Sequence, residues 1–103
     1  MKVGGGLGWV DSKLKGSSYI ANEPNVVTYR NDRTCRTGTI TNEKVGNGYK
    51  VCYVVTVTAD QDTGKVTWGM GGNVFHETIY EPIKDKSIDW VPYIRLCDEG
   101  DIA

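Results

Sequence analysis

The 103-residue sequence has few of the side chains on which most enzymes and metal sites depend. It holds one histidine, His76, and three cysteines that form no C-x-x-C pair. The motifs G-x-S-x-G, G-x-x-x-x-G-K-[ST] and G-x-G-x-x-G are all missing. Glu77 follows His76 directly, so on a β-strand the two side chains point to opposite faces. We therefore expect no enzymatic activity, no catalytic residue, no cofactor and no bound metal.

Long apolar runs are also absent, since no stretch approaches the roughly 18 residues that a membrane span needs. The first residues, MKVGGGLGWV, hold no apolar block and do not resemble a signal peptide. We therefore expect no membrane partner and a cytoplasmic or virion location. A secreted protein whose signal segment has been removed stays an open alternative.

Charge gives little support for a nucleic-acid partner, because the formal net charge is −1. The charges are unevenly spread, however. Residues 1–58 hold eight basic and four acidic residues, and residues 59–103 hold four basic and nine acidic residues. Opposite charge in the two halves favours association with a charged neighbour or with further copies of the chain. We therefore expect a protein partner or self-association, and no nucleic acid.

What the sequence does have is strand-like alternation of apolar and other residues. Residues 49–59 alternate most clearly and predict a central strand, and residues 74–80 and 87–97 predict two more. Pro92 has no N–H group to donate, so it places the last of these strands on an edge or at a bulge. The pattern predicts one small all-β domain over residues 1–103, a sandwich or barrel of five to six mainly antiparallel strands.

Asn47-Gly48 is the strongest turn signal in the chain. The dipeptide favours a two-residue type I′ turn, because both central residues of that turn take positive φ. It predicts a hairpin between strands at about 36–45 and 49–59, with Ile40 opposite Val55.

The sequence DQDTGK, residues 60–65, predicts a second turn, in which Asp caps the turn and Gly supplies positive φ. This turn leads into a third strand at about 65–70 and places Val57 opposite Trp68. The two turns together predict a central meander. Glycines at 69–73 then predict a bulge or a corner after Trp68.

The three cysteines bear on the compartment in which the protein works. In the register set by Asn47-Gly48, Cys35 and Cys52 lie eight residues apart along the ladder. That separation is more than about 20 Å, whereas a disulfide needs Cα atoms within about 7 Å. We therefore expect no Cys35–Cys52 bond. A competing register, in which Asn47-Gly48 does not form the turn, would place the two cysteines opposite each other. A bond from Cys97 to either stays open, and the odd count leaves a free thiol, which fits a reducing compartment.

The two ends of the chain differ in composition from its middle. Residues 1–16 are glycine-rich and predict an N-terminal arm, and residues 98–103 predict an acidic tail. Arms and tails become useful when a neighbouring subunit orders them. These features predict a non-enzymatic structural or interaction protein within a larger assembly, such as a capsid-decorating or tail protein of a virion, or a virus-encoded inhibitor. The alternative is a secreted, disulfide-containing binding or toxin-like domain.

Exposed aromatic and arginine side chains are enriched in interface hot spots. We therefore expect a partner-binding surface among such side chains beside the arm, in the first hairpin and on the outer side of the last strand. The predicted residues are Trp9, Arg30, Arg33, Arg36, Tyr93 and Arg95. For Trp9 and Tyr93, a place in the core stays an open alternative.

Overall fold

A computed structural model of the protein describes residues 6–15, 22–30, 32–42, 44–49 and 54–95. These residues contain eight strands, two short 3₁₀ helices and no α-helix. The strands are β1 (Gly6–Asp11), β2 (Val26–Arg30), β3 (Cys35–Thr37), β4 (Ile40–Asn42), β5 (Val55–Asp60), β6 (Lys65–Met70), β7 (Asn73–Ile79) and β8 (Trp90–Arg95). The 3₁₀ helices are Ser12–Leu14 and Glu81–Lys84. One antiparallel sheet has the order β4-β3-β2-β1-β8, and the other has the order β5-β6-β7.

The two sheets pack around one core, so the predicted all-β class is confirmed and, of the two predicted forms, the fold is the sandwich and not the barrel. The prediction of five to six strands is wrong, since the described residues form eight. The five-stranded sheet contributes Val27 and Tyr29 to this core, and the three-stranded sheet contributes Val66 and Trp68. The indole N–H of Trp68 donates a hydrogen bond to the carbonyl oxygen of Leu7 at 3.0 Å, which ties one sheet to the other. Burying a side chain of this size stabilises a protein by about 1.5–3 kcal/mol. The inner faces of the two sheets therefore hold the fold together.

The hairpin of β5 and β6 has the predicted register, with Val57 opposite Trp68. Its turn depends on the Asp60 carboxylate, which accepts a hydrogen bond from the Asp62 N–H at 2.9 Å. Gly64 closes the turn with a φ of 81°, a conformation that other residues rarely adopt. Both the hairpin and its turn are thus confirmed.

A β-bulge interrupts the pairing of β6 with β7, and it lies after Trp68 as the glycines predicted. Trp68 pairs with His76, while Gly69 pairs with Val74. Phe75 is therefore the extra residue on β7. Because of the bulge, Phe75 and His76 do not follow the simple alternation of a regular strand.

The hairpin predicted at Asn47-Gly48 is wrong. β4 pairs with β3, and β5 belongs to the other sheet. Gly48 has a positive φ but Asn47 does not, so the two residues form no type I′ turn. The Gly48 N–H donates instead to the hydroxyl of Tyr29 at 2.9 Å. A partner distant in sequence thus overrides the local turn preference, and β5 lies at an edge of its sheet rather than at the centre.

The predicted N-terminal arm is wrong for residues 6–11, which form β1 and pair with β2 on one side and β8 on the other. Gly8 permits this arrangement, since a Cβ at Gly8 would lie 1.8 Å from the carbonyl oxygen of Val27. The glycine therefore allows the backbones of β1 and β2 to approach closely, and it does not make the segment flexible. Residues 1–5 and 16, like the predicted tail at 98–103, lie outside the described residues.

Cys35 carries a free thiol that is 2% exposed. Burial raises its pKa to about 11, so the thiol stays protonated near neutral pH and is a weak nucleophile. The expected absence of a Cys35–Cys52 bond is confirmed, although the hairpin register used to predict it is wrong. Cys52 and Cys97 lie outside the described residues.

Candidate interaction site

Two of the predicted partner-binding residues, Arg36 and Tyr93, lie in one row across the five-stranded sheet. Arg36 is the register partner of Thr28, Thr28 of Gly8, and Gly8 of Tyr93. Because directly paired residues share a face of a sheet, the row lies on one face. This is the outer face, which points away from the three-stranded sheet.

Tyr93 is buried, so of the two positions that the sequence leaves open for it, the structure shows the one in the core. Its side chain is 6% exposed and packs with Val10 and Val26 in a second apolar cluster on the outer face. A Cβ at Gly6 would lie 3.9 Å from the Tyr93 ring, which is an ordinary van der Waals distance, so a larger residue than glycine would also fit beside the ring. Ile94, the next residue after Tyr93, is 49% exposed.

Arg30 and Arg95 occupy the neighbouring row, where each is the register partner of Gly6. The guanidinium of Arg30 lies 3.8 Å from the carboxylate of Asp32, and its side chain is 43% exposed. A half-exposed pair of this kind contributes at most about 1 kcal/mol. Of Arg95, only the backbone position is described. Four of the six predicted residues thus lie in two adjacent rows of one sheet.

Trp9 and Arg33 lie apart from these rows. Trp9 packs half-buried against the shared core on the inner face of β1, and its indole N–H has no hydrogen-bond partner within the described ranges. Arg33 is exposed in the turn between β2 and β3, where its φ is 70°. The six predicted residues therefore do not form one surface.

Arg33 lines a cleft of about 540 Å³ at the end of the sandwich where this turn meets the loop of residues 44–49. The cleft combines apolar rings with polar side chains, and its lining is Asp32, Arg33, Asn47, Gly48, Tyr49, Met70, Asn73, Val74 and Phe75. Burial alone would raise the pKa of Asp32, but hydrogen bonds from Thr34 and the charge of Arg30 hold it below its usual value. Its carboxylate accepts from the Thr34 hydroxyl at 2.6 Å and the Thr34 N–H at 3.1 Å. Asp32 thus stabilises the turn between β2 and β3.

Aromatic rings surround Tyr29 next to the cleft. The bulge lets two sequence neighbours both contact this ring, Phe75 at a centroid distance of 5.4 Å and His76 at 4.7 Å. Tyr49 packs on it from the loop at 6.5 Å. The Tyr29 hydroxyl donates to the carbonyl oxygen of Val45 at 2.6 Å. Tyr29 therefore holds the loop of residues 44–49 in place.

His76 packs within this ring cluster as a neutral side chain. Burial lowers its pKa below the ordinary value of 6.5, and the charge of Glu77 only partly opposes the shift. Its Nε2 atom is buried without a hydrogen-bond partner in the described part of the chain. Glu77 points outward and lies 3.9 Å from the ammonium group of Lys65. His76 and Glu77 thus do not form an acid–base pair.

The four edge strands differ in their protection against pairing with another chain. An edge exposes unpaired N–H and C=O groups, and short length, proline, bulges or lysine protect it. β4 has three residues, β8 contains Pro92, and β7 carries the bulge at Phe75. β5 has six residues in regular register with β6 and no proline, lysine or bulge, and the 3₁₀ helix Glu81–Lys84 contacts it. Among the residues that the structure describes, β5 is therefore the open edge.

β5 presents small and β-branched side chains on both faces. Its inward-facing residues are half-buried against the core: Val55, Val57 and Ala59. Its outward-facing residues are exposed: Thr56, Thr58 and Asp60. Sequence reasoning missed this site, because alternation identifies a strand but does not say how many neighbours the strand has.

No family model matches the chain, and searches of curated proteins and of solved structures found no match either. The described residues contain no group of three or more His, Cys, Asp or Glu side chains placed to hold a metal ion. They also contain no helix long and apolar enough to cross a membrane.

Proposed function

We propose that the protein is a non-enzymatic interaction protein that joins a larger assembly by accepting a strand along β5. The open edge carries this proposal, since six residues in a regular strand present a row of backbone groups that no described strand pairs with. In strand addition, main-chain hydrogen bonds supply affinity and alternate side chains supply specificity. β5 offers both.

The rest of the three-stranded sheet suits the same use. Its outer face is largely solvent-accessible and includes Val74 at 61% exposure and Ile79 at 55%. Its inner face is fixed by the fully buried Val66 and Trp68. A further strand beside β5 would therefore extend an existing sheet without moving the core.

The titratable groups support binding rather than catalysis. The Cys35 thiol is buried and protonated, His76 is neutral within a ring cluster, and Asp32 orders a turn. Each of these groups thus has a structural use. The proposal therefore assigns no chemical step to them.

The assemblies expected from the sequence, a virion or the complex of an inhibitor with its target, belong to this proposal. The alternative, a secreted disulfide-containing binding domain, now requires a Cys52–Cys97 bond, because Cys35 is free. Intact mass of the native protein with and without alkylation separates the two. Three free thiols support the assembly protein, and one free thiol supports the secreted domain.

The proposed function is tested by the size of the complex in an extract of the native source. The Thr56→Lys/Thr58→Lys variant adds charge to exposed residues of β5, and Val74→Lys/Ile79→Lys adds the same charge to exposed residues of β7. We expect the wild type and the β7 variant in a complex larger than a monomer, and the β5 variant as a monomer. A monomeric wild type, or a β5 variant that stays in the complex, would contradict the proposal.

A further inference from the structure

We infer that the strand added to β5 is the β5 strand of a second copy, running antiparallel about a two-fold axis at Val57. This inference rests on the proposed function and names the partner. The two three-stranded sheets would join into one sheet of six strands, with the two β5 strands at its centre. Two-fold contacts between identical surfaces are the commonest form of self-association, and each copy brings the same open edge.

The side chains of β5 restrict how two copies can pair. Residues directly opposite each other in a sheet share a face. In a symmetric pairing that places inward-facing residues opposite inward-facing residues, the two-fold axis therefore passes through a residue and not between two residues. Centring on Thr58 would run into the turn residues Gln61 and Asp62. Centring on Thr56 would pair only positions 55–57 within β5 and would place positions 58–60 opposite residues that precede the strand. Centring on Val57 pairs positions 54–60, which is the whole strand and the residue before it.

The pairing centred on Val57 gives compatible neighbours on both faces. On the inner face, Val57 meets Val57 of the second copy, and Val55 meets Ala59. On the outer face, Thr56 meets Thr58. Aliphatic pairs and threonine pairs are favourable cross-strand neighbours. Because the inward residues already pack against the core, the pairing would also join the two cores.

Charge does not oppose this pairing. Asp60 is the one charged residue of β5, and it would lie opposite Val54 of the second copy. The two Asp60 side chains would then be six positions apart along the strand, about 20 Å at ~3.3 Å per residue. Lys65 is the register partner of Asp60 on β6 and partly balances its charge. Val54 is 82% exposed in the single copy and would gain cover at the interface.

Sedimentation equilibrium of the purified protein tests the partner. We expect the wild type to dimerise as its concentration rises toward the millimolar range. The Thr56→Lys/Thr58→Lys variant puts lysine opposite lysine twice, so its dissociation constant should rise by about tenfold or more. Val74→Lys/Ile79→Lys is the matched control and should keep the wild-type constant. Equal thermal melting of the two variants, followed by circular dichroism, shows that both are folded.

A charge-pair variant tests the register. In the pairing centred on Val57, Thr56→Lys/Thr58→Glu places each new lysine opposite a new glutamate of the second copy. This dimer should be at least as tight as the wild type and should weaken in high salt. In a pairing centred on Thr56 or Thr58, like charges would meet at the axis instead. Loss of the dimer in this variant would overturn the proposed register.

Failure of this inference and failure of the proposed function give different results. A purified wild type that stays monomeric at every concentration overturns the second copy as the partner. If the native complex still depends on β5 in that case, the proposed function stands and the added strand belongs to another protein. If the lysines on β5 change neither the native complex nor the purified protein, both proposals fail.

Discussion

The two sheets of the sandwich use their strands differently, as β2 and β5 show. β2 lies at the centre of the five-stranded sheet and is buried on both faces, with Val26, Val27 and Tyr29 at 0% exposure. β5 alternates half-buried and exposed residues and ends its sheet with an open edge. The edges of the five-stranded sheet are short or interrupted by Pro92. The five-stranded sheet therefore stabilises the fold, and the three-stranded sheet carries the surface left for a partner.

Gly8→Ala should have the largest effect, because it acts on the close packing within the five-stranded sheet. The added Cβ would lie 1.8 Å from the carbonyl oxygen of Val27 and 2.8 Å from the Cα of Thr28. β1 and β2 must then move apart, and we expect urea unfolding to show a loss of about 3 kcal/mol or more. Gly6→Ala in the same strand is the control, since its nearest atoms are 3.9 Å away. Equal losses in both variants would contradict the close approach at Gly8.

Tyr29→Phe should have the next largest effect, at the junction where the five-stranded sheet holds the loop of residues 44–49. The change removes the hydroxyl that donates to Val45 and accepts from the Gly48 N–H. Leaving the buried Gly48 N–H without a partner should lower the free energy of unfolding by about 1–3 kcal/mol. Hydrogen exchange at Gly48 should become faster. Unchanged exchange there would show that Tyr29 does not anchor the loop.

The sequence alone was sufficient for the all-β class and for the hairpin of β5 and β6, because both depend on residues close together in the chain. Asp60 and Gly64 form their turn without help from elsewhere. The failed hairpin depends on a distant partner, the Tyr29 hydroxyl, which binds the Gly48 N–H. Local turn preference contains no information about such a partner.

The glycines misled the sequence reasoning for a related reason. Gly8 suggests flexibility in a sequence, but here it leaves space for the backbone of β2. The open edge was missed because neighbours within a sheet are a property of the whole topology. The arginines were grouped by sequence proximity, whereas Arg33 lies in a turn and Arg36 on the outer face.

Acidification should lower the stability of the fold through His76, which packs on the inner side of the three-stranded sheet. Burial holds the pKa of His76 below 6.5 in the folded chain, so between the two pKa values the unfolded chain binds more protons. Stability should therefore be full above pH 6.5 and fall as the pH drops below it, levelling off beneath the folded pKa. The pKa of Asp32 lies below 3.8, so protonation of Asp32 lowers the stability only in more acidic solution. Urea midpoints across this range should show the step in the wild type and not in His76→Phe, and a step that persists would contradict the assignment.

Pro92→Thr should have the smallest effect. It tests whether proline is what prevents the edge of β8 from pairing with another chain as the edge of β5 does. The change restores an N–H group at an exposed position of β8. In the Thr56→Lys/Thr58→Lys background, sedimentation should then show weak association that the proline-containing protein lacks. If the variant remains fully monomeric, proline is not what distinguishes the edge of β8 from that of β5.

Hydrogen exchange of the β5 amides at low and high protein concentration tests most directly whether the protein associates through this edge. Residues along an edge strand alternate between N–H groups that bond to the neighbouring strand and N–H groups that face outward. We predict that the outward-facing amides of residues 55–60 exchange fast in dilute solution and become protected as the concentration rises, while β7 and β8 stay unchanged. Exchange in β5 that is independent of concentration, or protection that arises at β8 instead, would contradict the account.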